Sequence, residues 1–172
     1  DRIVAATYMA CAAITGGNIT LKGTMPSHIT TILSVLRETG CDISVSGKSV
    51  EINCKNRLTR VPTIRSLVSP GFPTDAGPLV IAMLCKAKGT SVFVENIFEN
   101  RFRYVDELKR LGAKIETQGK IAVIEGVSSL SGATCKCTDL RGGAALVTAG
   151  LCANGETVID EIHHIERGYD DI

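Results

Sequence analysis

The chain has 172 residues, 44% of them hydrophobic and 22% charged, with a net charge of +1. That length suits one domain burying about 70% of its unfolded surface. The weak charge, the lack of tryptophan and an aromatic share of only 4% exclude a strong field for nucleic acid or a set of base-stacking platforms.

In chain order, Asp1 to Gly17 (DRIVAATYMACAAITGG) predicts a helix that is apolar nearly all round, and Asn18 to Leu21 predicts a strand. Ile29, Ile32, Leu33 and Leu36 keep the spacing of an amphipathic helix, with Gly40 placed to end it. Ile43–Val45 and Val50–Ile52 flank a Gly47-Lys48 hairpin turn. Val61–Leu67 then predicts a strand leading to SPGFPTDAGPLV, residues 69 to 80.

The same order now repeats. Asp75 to Gly89 predicts a second apolar helix, Ser91–Val94 a strand, and Val105, Leu108 and Leu111 a second amphipathic helix. Gly112, the hairpin around Gly119-Lys120, and strands Ile115–Thr117 and Ala122–Ile124 lie 72 residues after their counterparts. A third copy begins at strand Ala133–Thr138 and apolar helix Asp139 to Gly155, and reaches strand Thr157–Asp160. The expected fold is α/β (α+β), an inside-out α/β barrel of βαβαββ units about a pseudo-threefold axis. Apolar helices fill its centre and amphipathic helices lie outside. The units span about 1–60, 61–126 and 127–172 of one domain, the third cut short.

Asp1, Asp75 and Asp139 recur at the helix starts, which predicts an N-cap role for all three. Only the second copy surrounds its aspartate with Pro73, Gly77 and Pro78, a rigid turn that could also aim a carboxylate. Arg101 and Arg167 share a place 66 residues apart, where a strand gives way to an outer helix. Each either binds carboxylate or phosphate or pairs with Glu95, Glu99 or Glu166. Arg141 reads as a surface ion pair. His163 and His164 read as strand neighbours facing opposite ways. Gly142-Gly143 reads as a close-packing site.

The seven cysteines include no CxxC, and reduced, buried thiols are expected. No metal site, P-loop, GxSxG or HExxH is present in the sequence. No apolar run reaches the roughly 18–20 residues of a membrane span. The opening Asp1-Arg2-Ile3 is unlike a secretory leader, so a cytoplasmic protein is expected.

Gly71-Phe72-Pro73-Thr74-Asp75, Phe98-Glu99-Asn100-Arg101-Phe102, Thr138-Asp139-Leu140-Arg141 and Ile165-Glu166-Arg167-Gly168-Tyr169 stand in one order along the chain. Together they closely resemble the UDP-N-acetylglucosamine branch of the enolpyruvyl transferase family, over essentially the whole length. The resemblance implies most of a C-terminal domain, whose N-terminal partner carries the family's reactive cysteine and a Lys-Asn pair. It implies transfer of the enolpyruvyl group of phosphoenolpyruvate to the 3-hydroxyl of UDP-N-acetylglucosamine, an early step of peptidoglycan synthesis, without metal or organic cofactor. It places Asp75 at that hydroxyl, the backbone of Ile97 at the sugar nucleotide and Arg167 at phosphoenolpyruvate, with Arg101 and Asp139 near the cleft. A 3-phosphoshikimate 1-carboxyvinyltransferase and a non-catalytic repeat module are the alternatives.

Overall fold

The computed structural model describes residues 1–170 and 172. The first repeat runs α1 (Arg2–Thr15), β1 (Asn18–Lys22), a 3-10 turn (Pro26–His28), α2 (Thr30–Glu38), β2 (Asp42–Ser46) and β3 (Ser49–Asn53). The second runs β4 (Thr63–Arg65), a 3-10 turn (Thr74–Ala76), α3 (Gly77–Leu84), β5 (Thr90–Val94), α4 (Val105–Arg110), β6 (Lys114–Gln118) and β7 (Ile121–Glu125). The third holds β8 (Leu130–Ser131), β9 (Thr134–Lys136), α5 (Leu140–Gly150), β10 (Ala153–Asn154), β11 (Val158–Asp160) and α6 (His163–Glu166).

Composition explains the layering. A helix that is apolar on every side must be covered on every side. All eight residues of α3 are buried, and α1, α3 and α5 pack on one another. Small residues permit the close approach. A Cβ on Gly142 would stand 2.7 Å from the Cβ of Tyr104, and one on Gly143 would crowd Cys137 and Ile165, so this glycine pair serves packing, as the sequence suggested. The amphipathic α2 buries only Ile32, Leu33 and Leu36 and shows solvent its polar face.

The sheets lie around these helices. In the first repeat, β1 and β2 flank β3, all antiparallel, with Ile19 and Ile43 both opposite Ile52. In the second, the order is β4-β5-β7-β6, with β4 parallel to β5. The third repeats that parallel pair as β9 and β11. Gly40 and Gly112 end α2 and α4 at φ 96 and 87, a conformation only glycine adopts without strain.

Two expectations are corrected. Cys41 and Cys54 are joined in a disulfide. Cys41 precedes β2 and Cys54 follows β3, so they extend the Asp42–Asn53 pairing by one position, which brings their Cα atoms to 4.6 Å. The other five cysteines are free. His163 and His164 are helical, not extended, and their rings lie side by side with centroids 4.1 Å apart.

Candidate functional site

Three helix starts converge at one end of the inner bundle. Asp1 caps α1, its Oδ1 accepting from the amides of Ile3 (2.6 Å) and Val4 (3.0 Å). Asp139 caps α5 in the same way, accepting from Arg141 (3.0 Å) and Gly142 (2.9 Å). Asp75 does not cap α3, contrary to the sequence reading. The two amides it would need belong to Gly77 and Pro78. Gly77 donates instead to the carbonyl of Thr74, closing the 3-10 turn, and proline has no N–H. The second repeat has therefore dismantled its cap and released the carboxylate.

That carboxylate meets two arginines. Oδ1 of Asp75 accepts from Nη2 of Arg101 at 2.8 Å, and Oδ2 lies 3.6 Å from Nε of Arg141. Arg101 follows Asn100, whose φ of 52 turns the chain in a region asparagine tolerates. Its guanidinium also packs 5.6 Å from the ring centroid of Phe98. Both arginine side chains are largely covered, 22% and 15% exposed, whereas that of Asp75 is 43% exposed. Arg141 is thus no surface ion pair. It also donates to the hydroxyl of the buried Tyr169 at 3.4 Å. That hydroxyl lies 2.6 Å from Oγ1 of Thr7. Thr7 spends its own proton on the carbonyl of Ile3, so Tyr169 is the donor there. One chain of contacts therefore links all three repeats through Asp75.

Glu95 lies beneath the site, buried at the end of β5. Its carboxylate accepts from Ser66 Oγ (2.7 Å), Thr74 Oγ1 (2.7 Å) and the amides of Ile97 (2.8 Å) and Phe98 (3.2 Å). Burial pushes this carboxyl up, but the four donors outweigh it and hold it below its ordinary range.

Arg2, Leu67, Val68, Asp75, Ile97 and Phe98 help line a cavity of about 300 Å³. Arg2, Asp75 and Arg141 mark the starts of α1, α3 and α5, where the aligned helix dipoles favour anions. Of the residues singled out from sequence, Asp75, Ile97 and Arg101 come together here. Asp139 contributes through its cap, which fixes the turn carrying Arg141. Arg167 is exposed at the end of α6 and has no ion-pair partner within 4 Å among the described residues. The amide of Ile97 is taken by Glu95, so only its carbonyl can face a ligand.

No cluster of three metal-ligating side chains occurs among the described residues. Burial pushes up the thiols of Cys11, Cys85, Cys135, Cys137 and Cys152, Cys85 to about 12, so none is a ready nucleophile. Sequence reasoning missed Arg141 and Glu95 as parts of this site. The position of Arg141 in the first turn of an inner helix was the available signal. Glu95 offered none, since its two hydroxyl partners lie 21 and 29 residues away.

A family model described as EPSP synthase (3-phosphoshikimate 1-carboxyvinyltransferase) matches residues 1–172. The chain is 50% identical over 169 residues to UDP-N-acetylglucosamine 1-carboxyvinyltransferase 1 of Symbiobacterium thermophilum, an alignment covering 98% of this chain and 38% of that protein. It is 47% identical to UDP-N-acetylglucosamine 1-carboxyvinyltransferase of Desulfofundulus thermocisternus, over 98% of this chain and 69% of that protein. In fold it is similar to the enolpyruvyl transferase NikO from Streptomyces tendae, with a TM-score of 0.87 at 24% identity, over 99% of this chain and 41% of that one. The chain thus spans from about two fifths to about two thirds of the length of these proteins.

Proposed function

This chain belongs to the EPSP synthase family of carboxyvinyl transferases, and we propose that it supplies one wall of an active site making enolpyruvyl-UDP-N-acetylglucosamine. The substrates are phosphoenolpyruvate and UDP-N-acetylglucosamine. The residues are most of a C-terminal domain, and an N-terminal domain of the same protein supplies the opposite wall. The setting is cytoplasmic synthesis of the peptidoglycan precursor. The names of the curated relatives support the substrate pair over the shikimate alternative.

The observation that carries this reading is the released carboxylate of Asp75. Its Oδ1 is fixed by Arg101, and Oδ2 keeps a position open to a sugar hydroxyl. In the reaction the 3-hydroxyl oxygen bonds to C2 of phosphoenolpyruvate while C3 takes a proton. Asp75 accepts the hydroxyl proton. Loss of a C3 proton and of phosphate from the resulting ketal restores the double bond. Arg167, with Arg101 and Arg141 nearer Asp75, supplies positive charge for the carboxylate and phosphate of phosphoenolpyruvate. The carbonyl of Ile97 accepts from the sugar nucleotide. None of these steps calls on a metal or organic cofactor.

The test is phosphate release from phosphoenolpyruvate by the full-length protein. Release that depends on UDP-N-acetylglucosamine and is absent with shikimate 3-phosphate is the expected result. The reverse dependence would establish the shikimate reading. Release with neither would leave the non-catalytic module.

A further inference from the structure

The carboxylate of Glu95 is buried behind the cavity wall, yet it joins the two loops that build the site. Thr74, one residue before Asp75, donates to Oε2. Ile97 and Phe98 donate their amides to Oε1. Ser66, at the end of β4, also donates to Oε1 and accepts from the amide of Asn96, while the Asn96 side chain donates to the carbonyl of Ser66. Three residues after Phe98, Arg101 returns to Asp75. The contacts therefore form a closed ring from Asp75 through Thr74, Glu95, Phe98 and Arg101 back to Asp75.

We propose that Glu95 is a positioning residue that holds the carboxylate of Asp75 and the carbonyl of Ile97 in fixed relation. The chemistry favours an ionised carboxylate here, because all four contacts are donors and only an ionised group accepts at every site. A buried glutamine presents an NH₂ where a donor now points, so one tie must break or invert. Neither loop has a helix or sheet of its own between residues 66 and 74 or between 95 and 104 apart from the 3-10 turn at Thr74–Ala76. Without Glu95 they keep the Asn96–Ser66 and Arg101–Asp75 ties but lose the buried anchor that joins Thr74 to Ile97 and Phe98. This inference rests on the transferase reading above.

The experiment compares Glu95→Gln and Thr74→Val in the full-length protein, each also combined with Asp75→Asn. Glu95→Gln is expected to lower kcat at least tenfold and raise KM for UDP-N-acetylglucosamine at least threefold, since it loosens both loops. Thr74→Val cuts only the tie to Asp75 and is expected to lower kcat with KM for the sugar nucleotide unchanged. In the Asp75→Asn background, Thr74→Val should cost less than twofold further, because its effect runs through Asp75. A merely structural role gives the same loss in both backgrounds, which would overturn the proposal. So would a folded Glu95→Gln variant with wild-type kcat and KM. If Glu95→Gln does not fold, Thr74→Val decides alone. Wild-type protein without transfer activity overturns the transferase reading itself, and with it this one.

Discussion

Asp75 and Pro78 stand in the same relation as Asp1 and Val4, or Asp139 and Gly142, but Pro78 has no amide to give. In the other two repeats that amide holds the carboxylate onto its helix at 3.0 Å and 2.9 Å. In the second repeat the carboxylate turns to Arg101 instead. The absent amide of Pro78, together with the Gly77 amide spent on Thr74, thus separates a structural aspartate from a candidate catalytic one.

Pro78→Ala restores one of the two missing donors. An N-cap is worth about 1 kcal/mol, and replacing a proline costs about 0.4–1 kcal/mol, so the two nearly cancel. Tm is expected to stay within about 4 °C. Turnover is expected to fall several-fold as the carboxylate divides its time between helix and cleft. Calorimetry and a phosphate-release assay on one preparation check both.

Gly77→Ala tests the close packing of the same turn. A Cβ there would lie 2.7 Å from the edge of the Phe93 ring, and Phe93 is fully buried. Overpacking of this kind costs about 1–3 kcal/mol. Thermal unfolding should show a Tm lower by several degrees, against no change for an alanine at an exposed site such as Ser128.

Glu95 sets a pH dependence of stability. Its carboxyl lies below the ordinary range in the folded protein, so the folded state favours the ionised form. The stabilisation is present above the unfolded pKa, about 4.3, and is lost as pH falls through the lower folded value. Urea unfolding of wild type and Glu95→Gln should therefore differ most near neutral pH. The difference should shrink as pH drops below about 4.

Much of the fold was legible because repetition supplied the check. Apolar periodicity found α1, α3 and α5, and the Gly40–Gly112 correspondence fixed the outer helices and hairpins. What failed was local. His163 and His164 follow a strand pattern in sequence, but Ile165 buries itself by helix formation instead. The Gly47-Lys48 turn already sets Cys41 opposite Cys54 by pairing Ser46 with Ser49, but reduced thiols were expected throughout, so the facing pair went unread. Asp75 was recognised by its surroundings and misread as a cap. Pro78 was visible in the sequence, yet the loss of its amide mattered only once Gly77 was seen to be spent on Thr74.

The central claim is that Asp75 takes the proton of the sugar hydroxyl. The most direct measurement is single-turnover enolpyruvyl transfer by full-length Asp75→Asn, with UDP-N-acetylglucosamine binding followed by calorimetry. Asparagine keeps the shape of the side chain and removes its basicity. A fall in rate of about 10²–10⁴-fold, with binding changed less than about fivefold, is the predicted result. A folded variant that transfers within about threefold of the wild-type rate would contradict the claim.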